Sequence, residues 1–194
     1  MIPVFTGRIE GEAIALDPRE AALRLGCPAD TVAIADECLA ELKEALLCRY
    51  AYCRLPVTHP QDGITDLGFG TLPSSDLIKN LQDCHEAFLL AVTLGTGVDR
   101  LLLRLSRLSP ARHFVTDALA SALAEAACDL AEEVITGGIP CRPRYSPGYG
   151  DLSLAVQPAI QQTLNAEKLL GITMSDTLLM SPTKTITCII GIKP

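Results

Sequence analysis

Three groups of residues in this 194-residue sequence have types and spacings that could do chemistry. The first is Gly95-Thr96-Gly97-Val98-Asp99-Arg100, which follows an apolar run. A strand, a G-x-G and a helix in that order would aim backbone amides at a phosphate. The third glycine is missing, however, and Arg100 stands where a small residue would let helix pack on strand. A strand-to-helix turn that needs unusual φ values accounts for the same residues. The second group is the acidic row Glu125, Asp129 and Glu132, spaced by four and three positions. That spacing puts all three on one helix face, where they could meet a cation or ligand hydroxyls, or stay solvated. The third is the loop Arg144-Tyr145-Ser146-Pro147-Gly148-Tyr149, taken together with Glu125. Arginine offers a fork that matches a carboxylate, and a proline-glycine turn exposes backbone groups to a purine edge. Tyrosine adds a flat face with a hydroxyl at its tip. The set suits an amino-acid-bearing nucleoside, and equally a surface loop held by its own aromatics.

Other chemistries lack their residues. There is no G-x-x-x-x-G-K-[ST] and no G-x-S-x-G elbow. Eight cysteines occur without a C-x-x-C pair, so neither a zinc knuckle nor an iron–sulfur cluster is indicated. Most lie in apolar periodic segments as small hydrophobes; Cys141, beside Arg142, is the one whose thiol a neighbouring cation could acidify, although a bystander thiol is the reading preferred there too. His59, His85 and His113 form no H-x-x-x-H pair. A formal charge of -7, from 16 Lys+Arg against 23 Asp+Glu, supplies no footprint for nucleic acid or for an anionic membrane. No run reaches the roughly 18 apolar residues of a membrane span, and Met1-Ile2-Pro3-Val4-Phe5 does not open a signal peptide. The expectation is a cytoplasmic protein with reduced thiols.

These groups need elements to position them. Asp17-Pro18-Arg19-Glu20 opens a short helix that Gly26 closes, with Glu20 reaching back to the cap amide. The periodicity of Ala35, Cys38, Leu39, Leu42, Ala45 and Leu46 predicts a second helix, continuing to about Tyr52. Ile64 to Leu72 reads as a strand or hairpin, Asp76 to Leu81 as a short helix capped by Ser74 or Ser75, and Ala87 to Leu94 as a buried strand. Val98 to Leu108 is helical, and a central helix runs from about Ala111 to Val134. Its apolar stripe is Val115, Leu119, Ala122, Leu123, Ala126, Leu130 and Val134. The prolines and glycines of residues 137 to 150 exclude regular structure and stiffen a recognition loop. A helix from Pro158 to Leu170 and a final strand from Thr185 to Ile192 complete the chain. Strands and helices mix without βαβ alternation, so the expected class is α+β, in one domain spanning residues 1–194.

The R-x-x-P-G-Y of Arg144 to Tyr149 resembles the S-adenosylmethionine-binding motif in the activation domain of cobalamin-dependent methionine synthase. Further blocks occur in that domain's order: Leu123-Ala124-Glu125-Ala126, Ala166-Glu167-Lys168 before Gly171-Ile172-Thr173, and Ser175 to Pro182. Thr93 to Arg100 resembles short stand-alone proteins of the same family. The resemblance implies a twisted antiparallel sheet flanked by helices, with S-adenosylmethionine in a shallow groove that faces a corrinoid protein. Arg144 would then hold the methionine carboxylate, Glu125 would meet polar atoms of the ligand such as the amino group, the backbone around Ser146, Pro147, Gly148 and Tyr149 would read the adenine, and Tyr145 would belong to the same cofactor-binding loop. Tyr149 would stand nearest the corrin, in a catalytic position.

The implied reaction is reductive methylation, in which inactive cob(II)alamin on a partner gains one electron and takes the methyl group of S-adenosylmethionine. Partners would be a corrinoid-binding protein or the methionine synthase catalytic subunit, with an electron-donor protein, and a stand-alone chain would need an exposed docking face. Two departures bear on this. The family domain is longer at its front and carries an acidic ligand contact there, for which Asp17, Asp62 and Asp66 are the candidates here. Its motif also continues P-G-Y-P-A-C-P, where this chain has Pro147-Gly148-Tyr149-Gly150-Asp151-Leu152. Two alternatives stay open: a corrinoid-protein partner or chaperone that uses no methyl donor, and a nucleotide-binding oxidoreductase built on Gly95 and Gly97.

Overall fold

In the computed structural model, which describes residues 2–194, the first element is strand β1 (Phe5–Ile9). Asp17 caps helix α1 (Pro18–Arg24), its carboxylate accepting from the Arg19 amide at 2.9 Å and the Glu20 amide at 3.0 Å. Glu20 thus contributes its backbone, not its side chain, to the cap. Helix α2 (Ala35–Ala45) stops well short of Tyr52, and the chain continues as strand β2 (Cys48–Pro56). That strand is buried on both faces, at Tyr50 on one and at Ala51, Cys53 and Leu55 on the other, so no polar alternation marks it. A meander follows: β3 (Thr58–Gln61), β4 (Ile64–Asp66) and β5 (Thr71–Pro73). Ser74 caps α3 (Ser75–Asn80) through its Oγ, which accepts from the Leu77 amide at 2.9 Å. Then come β6 (Glu86–Thr93), α4 (Thr96–Leu108) and α5 (Pro110–Thr136). The helix expected from Pro158 to Leu170 is two helices, α6 (Gln157–Leu164) and α7 (Ala166–Leu170), parted where Asn165 adopts φ +49°. A short hairpin, β7 (Thr173–Met174) and β8 (Met180–Ser181), precedes β9 (Thr185–Ile192).

The main sheet has the order β1-β2-β6-β9 and is antiparallel throughout. Its centre is β6, buried from Ala87 to Thr93. Successive side chains point to opposite faces, so one strand serves two cores. Tyr50, Leu90, Val92, Cys188 and Ile190 pack with residues of α1, α2, α4 and α5. Ala51, Cys53, Leu89, Ala91 and Ile189 pack with residues of α3, α6 and α7. The result is the α+β class expected, an antiparallel sheet with helices on both faces.

Along α5 the buried face turns around the helix. Val115, Leu119, Ala122 and Leu123 lie inward as expected, but Ala127, Ala131 and Ile135 take over toward the C-terminus. Val134, at the end of the expected stripe, is 63% exposed. The cause is a change of neighbours, since the helix packs against α1, α2 and α4 and also against strands β6 and β9. All eight cysteines are free, seven of them buried. Burial pushes the Cys48 thiol up to about 12 and the Cys53 thiol up to about 11, which favours the uncharged form of side chains that fill space in the core. Among the described residues no helix is long and apolar enough to cross a membrane.

Candidate functional site

The loop after α5 is built by distant partners. Gly137 ends the helix in the left-handed conformation, at φ +56°. Residues 140–145 then run along the outer edge of β9. The Lys193 amide donates to the Pro140 carbonyl at 3.0 Å and the Arg142 amide to the Gly191 carbonyl at 2.8 Å. Tyr145 and Ile189 exchange both backbone bonds, at 2.9 and 2.8 Å. The stretch expected to lack regular structure thus extends the main sheet by two bridges, which protects the edge of β9. In this setting Cys141 follows the bystander reading and not the acidified one. Its thiol is raised, first by burial and then by the Glu132 charge, despite Arg142 next to it in sequence.

Ser146 to Tyr149 forms a tight turn in which the Tyr149 amide donates to the Ser146 carbonyl at 3.1 Å. Pro147 presets its second position, and Gly148, at φ +93°, occupies the third, where a side chain is strained. The Gly148 amide donates to the Leu152 carbonyl at 2.8 Å. Two of the amides expected to read a purine are therefore engaged within the loop, and among the described residues the Ser146 amide has no such partner. Tyr145 donates its hydroxyl to the Tyr149 carbonyl at 3.2 Å, and the two rings meet edge to face at 6.4 Å. Tyr145 is thus the inner brace of the turn, whereas Tyr149 is 57% exposed.

Arg144 reaches back from the loop to α5. Its Nη1 donates to Asp129 at 2.5 Å and to Glu132 at 3.1 Å, and its Nη2 donates to Glu125 at 3.2 Å. The acidic row therefore meets a cation from its own chain. Burial disfavours the guanidinium charge, but the bond to Asp129 and the acidic surroundings outweigh that, and the net shift is upward. A guanidinium has five N–H donors, so after these three bonds the Nε–H and one Nη2–H have no partner among the described residues. A groove of about 380 Å³ opens there, lined by Glu125, Glu132, Arg144, Tyr149, Ser146 and Ile186, with Pro143 beside them. The remaining N–H donors of Arg144 are of the kind a carboxylate takes.

Asp151 escaped the sequence reading. Its carboxylate accepts from the Ser74 hydroxyl, from the Ser75 amide at 2.8 Å and from the Asp76 amide at 3.2 Å, which anchors the loop to the start of α3. The Ser74 hydroxyl and then the two amides hold its carboxyl below the ordinary 3.8. A lowered folded-state value gives stability that is present above 3.8 and lost as pH falls through the lowered value. Acidification through that lowered value is thus expected to free the loop from α3. Hydrogen exchange at the Ser75 and Asp76 amides measures this, and Asp151→Ala is expected to give the same fast exchange at neutral pH.

The other expected positions serve the fold. Asp17 caps α1, and Asp66 accepts from the Gly68 amide at 2.7 Å, so both are engaged locally; Asp62 lies in the exposed turn between β3 and β4. Gly95 takes φ +86° at the start of α4, and Gly97 lets that helix lie against the last turn of α2. Asp99 in the first turn of α4 accepts from the Thr183 amide and hydroxyl, at 3.0 and 2.6 Å. The G-x-G is a packing turn between α2 and α4.

Compared by sequence, no family model and no curated protein matches the chain. Compared by structure, it is similar to the crystal structure of the MetH reactivation domain bound to AdoHcy, with a TM-score of 0.69. The match covers 100% of this chain and 79% of that one, at 16% identity. The architecture is therefore that of a reactivation-domain-like α+β fold.

Proposed function

We propose that this chain, working as one unit, binds S-adenosylmethionine and supports reductive methylation of the corrinoid on a cobalamin-dependent methyltransferase such as methionine synthase. The observation that carries the reading is the groove beside Arg144. A guanidinium with two N–H groups left faces it, Glu125 and Glu132 flank it, and Tyr149 stands at its rim. The solved neighbour of the same fold binds the demethylated form of that ligand. In this reading Arg144 receives the methionine carboxylate and Glu125 the ammonium. Ser146, Pro147 and Gly148 border the adenine, Tyr145 holds the turn rigid, and the exposed ring of Tyr149 meets the partner's corrinoid face. That corrinoid, once reduced by an electron donor, supplies the nucleophile. The chain itself contributes alignment and a site that accepts a sulfonium charge.

A second reading is a corrinoid-protein partner that uses no methyl donor. It is favoured by the same guanidinium's three intramolecular carboxylate contacts, which could make Arg144 a brace between loop and helix. Calorimetry with S-adenosylmethionine separates the two. Binding, followed by methyl transfer to a corrinoid protein when a reductant is present, is the expected result. A flat titration with retained binding of the corrinoid protein would establish the second reading.

A further inference from the structure

On the opposite face of the main sheet from α5, at its open edge, two cations stand side by side. Arg8 of β1, the edge strand, is the direct cross-strand partner of Arg49 of β2. Direct partners in an antiparallel pair share a face, with Cβ atoms about 5 Å apart, and like charges placed in that way repel. The face is the one on which Ala51, Cys53 and Leu55 pack with residues of α3, α6 and α7. No ion pair among the described residues includes Arg8 or Arg49. Arg8 is exposed, so water screens it. Arg49 is partly buried, and the other arginines in that position, Arg112, Arg142 and Arg144, each have a carboxylate. The Nη2 of Arg49 donates to the Leu170 carbonyl at the C-terminal end of α7, at 2.6 Å. That contact explains why an arginine lies under α7, but it uses one donor of five. The Nε–H is buried and has no partner. A buried donor without an acceptor, on a charged group opposite a like charge, is the arrangement that a bound anion would relieve.

We propose that Arg8 and Arg49 form a clamp for a doubly charged oxyanion of the phosphate type. Two guanidiniums carry two positive charges, which a phosphate dianion cancels and a single carboxylate does not. The terminal oxygens of a phosphate accept from the Nε–H of Arg49 on one strand and from the free N–H groups of Arg8 on the other, in the charge-assisted geometry that arginine favours. Access is from solvent, because β1 ends the sheet and Arg8 is exposed on it. In a chain with a formal charge of -7 the pair is a local reversal of sign. Free phosphate and a phosphate ester present the same chemistry to it. The clamp is separate from the groove beside Arg144, and neither depends on the other.

The test is titration of the full chain with inorganic phosphate, methyl phosphate and acetate at low salt and about pH 8, where the two phosphates are dianions. Calorimetry and the NMR signal of the Arg49 Nε–H follow the binding. Saturable heat with both phosphates, a shift of that signal, and binding of acetate about tenfold weaker are the expected results. Arg8→Gln, at an exposed position, is expected to fold normally, to bind phosphate about tenfold more weakly and to leave S-adenosylmethionine binding unchanged. Arg49→Lys keeps the charge but has no Nε–H, and the same loss is expected of it. A preference for methyl phosphate would assign the clamp to an ester, and a preference for the inorganic ion to free phosphate; either upholds it. No saturable heat, or acetate bound as tightly as phosphate, would overturn the proposal. Unchanged phosphate binding in folded Arg8→Gln would overturn it as well, since it would mean an adventitious ion only.

Discussion

Arg144→Ala is expected to abolish S-adenosylmethionine binding and to destabilise the fold by about 2 kcal/mol. Binding fails because the N–H groups that would receive the carboxylate leave with the side chain, and what remains of the site is three carboxylates that repel it. Stability falls for the same reason. Glu125, Asp129 and Glu132 sit on one helix face and keep their charges near one another only because the guanidinium lies among them. The figure is well below that of a fully buried pair, since the Glu125 and Asp129 side chains are 59% and 62% exposed and water takes up much of the field. Arg144→Lys keeps the charge and loses the fork, so it is expected to recover most of the stability and little of the binding. Combining Arg144→Ala with Asp129→Asn and Glu132→Gln relieves the repulsion and is expected to restore stability alone. Urea unfolding and calorimetry on the four proteins separate the two roles. Full affinity in Arg144→Ala would remove the carboxylate assignment.

What could be read from the sequence was local in origin. Asp17, Ser74 and Gly26 announce helix ends because capping depends on residues within one turn. Strands β6 and β9 are apolar enough that burial leaves no other reading. Strand β2 was hidden because its cysteines, alanine and leucine suit a helix as well as a sheet buried on both faces, and α2's period runs straight into it. The site shows the same division. The acidic row was visible at i, i+4 and i+7, and so was the loop with its arginine and tyrosines. That the one is the other's counter-charge depends on how the chain turns at Gly137 and Gly138, which no short-range pattern specifies. The anchor at Asp151 has partners 75 to 77 positions upstream, and the loop is fixed to a strand some 44 residues downstream at Tyr145 and Ile189, so neither could be found from spacing.

Gly97→Ala is expected to lower stability by about 2 kcal/mol, although alanine is the better helix former. Gly97 lies in the first turn of α4, and intrinsic propensity taken alone would favour the change by roughly 1 kcal/mol. A Cβ there, however, would run into the backbone carbonyl of Ala45 at the end of α2. A side chain could rotate aside, but a carbonyl on a helix terminus moves only with its helix. Either α4 lifts away or α2 shifts, and each opens the core in which Leu42, Val98, Leu101 and Leu119 meet. The steric term therefore wins over propensity. Thermal or urea unfolding measures the loss. Titration with a dinucleotide is expected to give no heat in either protein, because the third glycine is missing and Gly97 serves to pack α4 on the end of α2. A rise in stability would mean that the two helices sit farther apart than this packing requires. Dinucleotide heat that vanished in the variant would instead restore a ligand role to the G-x-G.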